Sequence, residues 1–100
     1  MSPARMQTIV AQVQAKVGFV EEVKRACLAL VEPSRLDRGC IVYDLYQSTE
    51  DATVFIFFEK WESREDVDRH LETPHSLAFD AETTGMLAQS EKITFLNKIC

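Results

Sequence analysis

Thr53-Val54-Phe55-Ile56-Phe57-Phe58-Glu59-Lys60-Trp61 is the run on which the fold turns. Side chains of a strand point alternately to opposite faces. Phe55, Phe57, Glu59 and Trp61 therefore share one face, and Val54, Ile56 and Phe58 share the other. A strand that is apolar on both faces needs cover on both. What flanks this strand decides what supplies the cover.

Upstream, Ser48-Thr49-Glu50-Asp51 is a polar turn, and Cys40 to Gln47 reads as a strand opened by Gly39. The short connection makes the two strands a hairpin. Before Gly39, the apolar positions Phe19, Val20, Val23, Cys27, Leu30 and Val31 recur at helical spacing, with Glu21, Glu22, Lys24 and Arg25 outside. Pro33 disfavours helical geometry at Glu32, so that helix is expected to end near Val31. Earlier still, Met6 to Ala15 alternates, with Ile9, Ala11 and Val13 on one side, and Gly18 breaks the strand. Downstream, Ser63 with Asp66 resembles a capping box that starts a helix. Pro74 interrupts it, a second helical stretch is expected from His75 to about Ala88, and a last strand from Ile93 to Ile99.

The order is strand, helix, strand, strand, helix, strand: an α+β, ferredoxin-like βαββαβ chain. Two split βαβ halves build a four-stranded antiparallel sheet with the helices on one face. The helices cover Phe55 and Phe57. Each large apolar side chain left wet forgoes about 1.5–3 kcal/mol, so Val54, Ile56 and Phe58 call for a second cover. A second copy packed sheet to sheet is the simplest supplier and gives a homodimer. The competing reading has loops or the tail fold over that face.

One hundred residues make one domain, spanning 1–100. With 46% hydrophobic and 27% charged residues the chain is an ordinary globular one rather than a disordered one. A net charge of −5 without a basic cluster argues against a nucleic-acid partner. No apolar run approaches a membrane span, and Met1 to Arg5 carries no apolar signal region, so no membrane is expected. Cys27, Cys40 and Cys100 are odd in number and lack metal-ligand spacing, which points to a cytoplasmic chain. Cys27 and Cys40 read as small buried apolar residues.

On a helix starting at Ser63, His70 falls on a stripe with Val67, Leu71 and Pro74, facing the sheet. It is either a hydrogen-bonded core histidine or a general base. Glu59 lies on the helix-facing side of its strand. A buried carboxylate needs a partner, and His70, a helix N-terminus or Arg35 are the candidates. Trp61 is core or pocket wall, with an indole N–H free for a ligand oxygen. His75 is a cap, a surface residue or the rim of a site, and Phe79 could wall the same cavity. Tyr43 alternates onto the side of Ile41 and Leu45, as a proton donor or as packing. Arg35 is a solvated arginine or an anion clamp. His70 and His75 stand five apart across a proline, which is not the i, i+4 zinc pair, so no metal is expected.

Glu32-Pro33-Ser34-Arg35, Gly39-Cys40, Tyr43, Phe58-Glu59-Lys60-Trp61-Glu62-Ser63, His70-Leu71-Glu72-Thr73-Pro74-His75 and Phe79, in this order, resemble the antibiotic biosynthesis monooxygenase family. The resemblance runs over nearly the whole chain. It implies a dimeric α/β barrel. The activities it implies are diverse: cofactor-independent oxygenation of polycyclic phenols and anthrones, quinol oxidation, isomerisation of a phosphorylated autoinducer-2 breakdown product, and haem degradation. Fold does not choose among them. The haem-degrading branch uses an Asn, a Trp and a His where this chain has Ala11, His70 and Asp80, which argues against haem.

The oxygenase reading implies no cofactor, and an aromatic substrate plus O2 as partners. His70 would be base or orienter, and Tyr43 and Glu59 would tune protonation. Trp61, Phe57 and Phe79 would wall the cavity, with His75 at the rim. An isomerase of a small carbonyl compound and a non-catalytic binding dimer are the alternatives, and a lone Arg35 disfavours a phosphorylated substrate.

Overall fold

The computed structural model describes residues 5–100. Residues 1–4, and with them most of the segment read as lacking a signal region, lie outside the described residues. No helix among those described is long and apolar enough to cross a membrane.

Four strands, β1 (Gln7–Gln14), β2 (Cys40–Gln47), β3 (Val54–Trp61) and β4 (Lys92–Leu96), form one sheet in the order β2-β3-β1-β4. All pairings are antiparallel. Helices α1 (Val20–Arg35), α2 (Arg64–His70) and α3 (Pro74–Glu82) complete the ferredoxin-like chain. The sheet is open at both edges and is not closed into a barrel within one chain.

The period-two patterns decide the faces. Ile9, Ala11 and Val13 of β1, and Phe55, Phe57, Glu59 and Trp61 of β3, are buried beneath the helices with Val23, Cys27 and Leu30 of α1. Val54, Ile56 and Phe58 are only half-buried on the opposite face. Tyr46, paired with Ile56, and Leu96 extend that face and are exposed.

Three boundaries differ from the sequence reading. Helix α1 continues through Pro33 to Arg35 rather than stopping near Val31. The extra turn buries Ser34 completely and lets the Arg35 guanidinium donate from Nε to the Tyr43 carbonyl at 3.0 Å. Near a C-terminus these gains offset the proline's lost N–H. Helix α3 stops at Glu82, not Ala88, because the Thr83 and Thr84 hydroxyls bond back to the Phe79 and Asp80 carbonyls and Gly85 takes φ +80°. Strand β4 ends at Leu96, three residues short of Ile99, and its side chains are exposed.

A register shift between Cys40 and Val42 leaves Ile41 exposed, so Ile41 does not share the buried side of Tyr43. Gly39, just before β2, has φ +82°, and a Cβ there would overlap the Asp66 side chain. This close approach ties the start of β2 to the first turn of α2.

Candidate active site

Ser63 caps α2, accepting from the Asp66 N–H at 3.2 Å, and this fixes the helix rotation. His70 is its last residue and is turned inward, 5% exposed. Thr73 then caps α3, with Pro74 at the first position, where its missing N–H costs nothing. The tight α2–α3 corner places His75 beside His70, with ring centroids 6.0 Å apart.

Both rings meet one carboxylate. His70 Nδ1 lies 2.7 Å and His75 Nε2 lies 2.8 Å from Asp37 Oδ2. Asp37 sits in the turn between α1 and β2 and is mostly buried. A carboxylate only accepts, so the His70 proton is assigned to Nδ1. Its Nε2 makes no hydrogen bond among the described residues. Burial holds the His70 pKa below the usual imidazole value, against the opposing pull of Asp37. The ring is therefore neutral near pH 7, with a basic nitrogen to spare.

His70 lies on the wall of a cavity of about 460 Å³ between the helices and the sheet. Ile9, Leu30, Val67, Phe79, Ile93 and Phe95 give it apolar walls, and Tyr43, Ser76, Arg64 and the carboxylates Glu59, Asp68, Asp80 and Glu91 add polar and charged groups. An apolar wall with convergent polar groups is what small-molecule sites have. The Tyr43 ring is 5.5 Å from that of His70, and its hydroxyl has no hydrogen-bond partner among the described residues. Burial first, and Glu59 next, push the Tyr43 pKa far up, so its hydroxyl stays a donor. Ser34 favours the phenolate from close by, yet its buried Oγ meets no partner with hydrogen-bond geometry.

Glu59 finds none of the partners expected of it. Its Oε1 accepts from Trp61 Nε1 at 2.9 Å, two residues along the same strand face. The Trp61 N–H is thereby occupied and not free for a ligand. Burial, the largest cause, raises the Glu59 pKa to about 7. Trp61 is fully buried and packs its ring 4.7 Å from that of His70. It backs the imidazole and is not part of the cavity wall, and Phe57 likewise lies behind Tyr43 and Phe79. Phe79 lines the cavity as expected. His75 reaches the site only through Asp37 and is absent from the cavity wall. Arg35 is also outside it, engaged with Glu32 at 3.0 Å and Asp44 at 3.2 Å as well as with Tyr43.

Asp37, Glu91 and Phe95 are the residues that sequence reasoning missed. Asp37 carries no signal beyond being an acidic turn residue, because nothing in the pattern says that this turn meets the α2–α3 corner. The Asp37, His70 and His75 ligand atoms all lie within 4.8 Å of one another, so they could hold a metal ion. The five-residue histidine spacing gave no hint of this because the third ligand comes from a distant turn. The two ring N–H groups already satisfy the shared oxygen. Burial pushes the thiols of Cys27 and Cys40 up to about 12 and about 11, so neither is a thiolate nucleophile near pH 7.

The family model described as "Antibiotic biosynthesis monooxygenase" matches residues 6–82. The crystal structure of PA3566 from Pseudomonas aeruginosa superposes with a TM-score of 0.91 at 33% identity, covering 100% of both chains. The structure of Rv0793 from Mycobacterium tuberculosis gives 0.87 at 25% identity, over 95% of this chain and 96% of that one. In sequence, "Putative monooxygenase Rv0793" is 35% identical over 68% of this chain and 66% of its own length. The protein sll1783 of Synechocystis sp. is 31% identical over 85% of this chain, which spans only 58% of that relative's length.

Proposed function

Because this chain belongs to the antibiotic biosynthesis monooxygenase family, we propose that it is a cofactor-independent monooxygenase acting on a small phenolic or quinol substrate. One observation carries the reading. A buried imidazole is held by Asp37 through Nδ1 and keeps Nε2 unpartnered among the described residues, on the wall of a cavity lined by both apolar and polar groups. An oriented neutral base on the wall of a small-molecule-sized hollow is what this chemistry asks of a protein.

In the proposed reaction His70 Nε2 takes a proton from the hydroxyl, or from the activated CH, of an electron-rich aromatic. Asp37 stabilises the imidazolium that forms. The substrate anion passes one electron to O2, and the two radicals join as a peroxide. Loss of water leaves one oxygen atom in the product and one in water, so an activated CH2 becomes C=O with all four electrons supplied by the substrate. The Tyr43 hydroxyl donates to the developing peroxide, and Trp61 fixes the imidazole plane from behind. Asp37 acts as a positioning residue, and His75 steadies Asp37.

The family setting and the two-faced β3 also support a homodimer joined through Val54, Ile56 and Phe58. A second copy would bury a face that the helices leave open.

The test is oxygen uptake by chelator-treated protein against anthrones and hydroquinones. Uptake that falls at least about 100-fold in His70→Ala with the fold retained is the expected outcome. No uptake, with deuterium exchange at a carbon next to a carbonyl, would replace the reading with an isomerase. Saturable binding without either would leave a binding protein.

A further inference from the structure

The cavity wall carries four carboxylates, Glu59, Asp68, Asp80 and Glu91. Against them stands one cation among the described residues, Arg64, which is already engaged with Asp68 at 3.4 Å and lies 4.2 Å over the Phe95 ring. The carboxylates sense one another across the hollow: Glu91 disfavours the ionised forms of Glu59 and Tyr43, and Asp80 that of Glu91. Two polar side chains more than nine-tenths buried, His70 and Tyr43, line this wall, and His70 Nε2 has no partner among the described residues, so the hollow can take a ligand with hydroxyl groups.

We propose that this cavity selects uncharged hydroxyaromatic ligands and rejects anionic ones, with Glu91 and Asp80 as the specificity-determining residues. The inference rests on the oxygenase reading only in taking the ligand to be a hydroxyaromatic. A sulfonate or carboxylate brought into this hollow meets the carboxylates of Asp80 and Glu91 and, among the described residues, no cation that is not already engaged. In a partly desolvated site that repulsion weakens binding by about tenfold or more. A phosphorylated carbonyl compound is disfavoured on the same ground.

Equilibrium dialysis with 2-naphthol and 2-naphthol-6-sulfonate, at pH 7.5 and low salt, separates the outcomes without turnover. The neutral naphthol should bind at least about tenfold tighter. In the Asp80→Asn/Glu91→Gln double variant the ratio of the two affinities should close to within about threefold, as expected when like-charge repulsion is the cause. In the unaltered protein, added salt should narrow the gap by screening. Equal affinities, a gap that survives both the double variant and salt, or no saturable binding of 2-naphthol would overturn the proposal. Selection without oxygen uptake from any hydroquinone or anthrone would sink the oxygenase reading and leave the selection standing.

Discussion

Replacing Asp37 by Asn keeps the shape of the turn and one acceptor oxygen but removes the charge. In the native protein a carboxylate oxygen 2.7 Å from Nδ1 faces an imidazole that is 5% exposed. Little water screens that pair. The bond already runs from a neutral N–H to an ionised carboxylate; when Nε2 takes the substrate proton, the ring becomes a cation and the bond becomes an ion pair. Two unit charges at this range attract by about 1 kcal/mol in bulk water and about 4 kcal/mol near a protein surface, and part of that is offset in the variant because the Asn oxygen still accepts from the ring. The remaining difference of about 1–2 kcal/mol exists only once the proton has moved, so it appears in the barrier. At 1.36 kcal/mol per decade, kcat should fall about 5- to 30-fold. KM should move little, because Asp37 is not part of the cavity wall. The pH profile gives a second readout. Asp37 favours the charged form of His70, so the acid limb of kcat should shift to lower pH in the variant. Oxygen-electrode kinetics with the best hydroquinone or anthrone, beside circular dichroism to confirm folding, measures both. A kcat within twofold of the native value, or a loss confined to KM, would refute the reasoning.

Glu59 provides a stability test. Its pKa of about 7 when folded, against an ordinary 4.5, means that the native state holds a proton the unfolded chain has released. Stability should therefore fall as pH rises from about 4.5 to 7 and then level off, by up to about 3 kcal/mol from this group. Glu59→Gln, which still accepts from Trp61, should flatten that slope in urea titrations between pH 4.5 and 8. Gly39→Ala should destabilise by at least about 2 kcal/mol, from positive φ together with overlap on Asp66. Phe57→Ala should cost about 3–5 kcal/mol, because that ring is 1% exposed and backs both Tyr43 and Phe79. Sedimentation at micromolar concentration should find a dimer, and Phe58→Arg should yield monomer; a native monomer would refute the sheet-to-sheet pairing.

The framework was legible because period-two and helical patterns report burial directly. Ile9, Ala11 and Val13 in β1, and the alternation of β3, placed the sheet and its faces before any coordinates. Ser63 and Asp66 placed the start of α2 through capping, and Pro74 marked the break before α3, which begins at Pro74 itself rather than at His75. The failures share a cause. Pro33 lies inside α1 because packing of Ser34 and docking of Arg35 outweigh a local preference. Asp37 was invisible because its role depends on a turn meeting a corner 33 residues away. Glu59 was recognised as a buried carboxylate in need of a partner, but alternation alone does not say that the indole on the same face reaches it first.

The account depends most on the state of one ring. Nitrogen-15 NMR of histidine-labelled protein, titrated from pH 4.5 to 8, reads the tautomer and pKa of His70 directly, with His70→Gln to assign the signals. A neutral ring at pH 7, protonated on Nδ1, unprotonated on Nε2 and titrating below the ordinary 6.5, is the expected result. An imidazolium at pH 7, or a proton on Nε2, would contradict the proposed base.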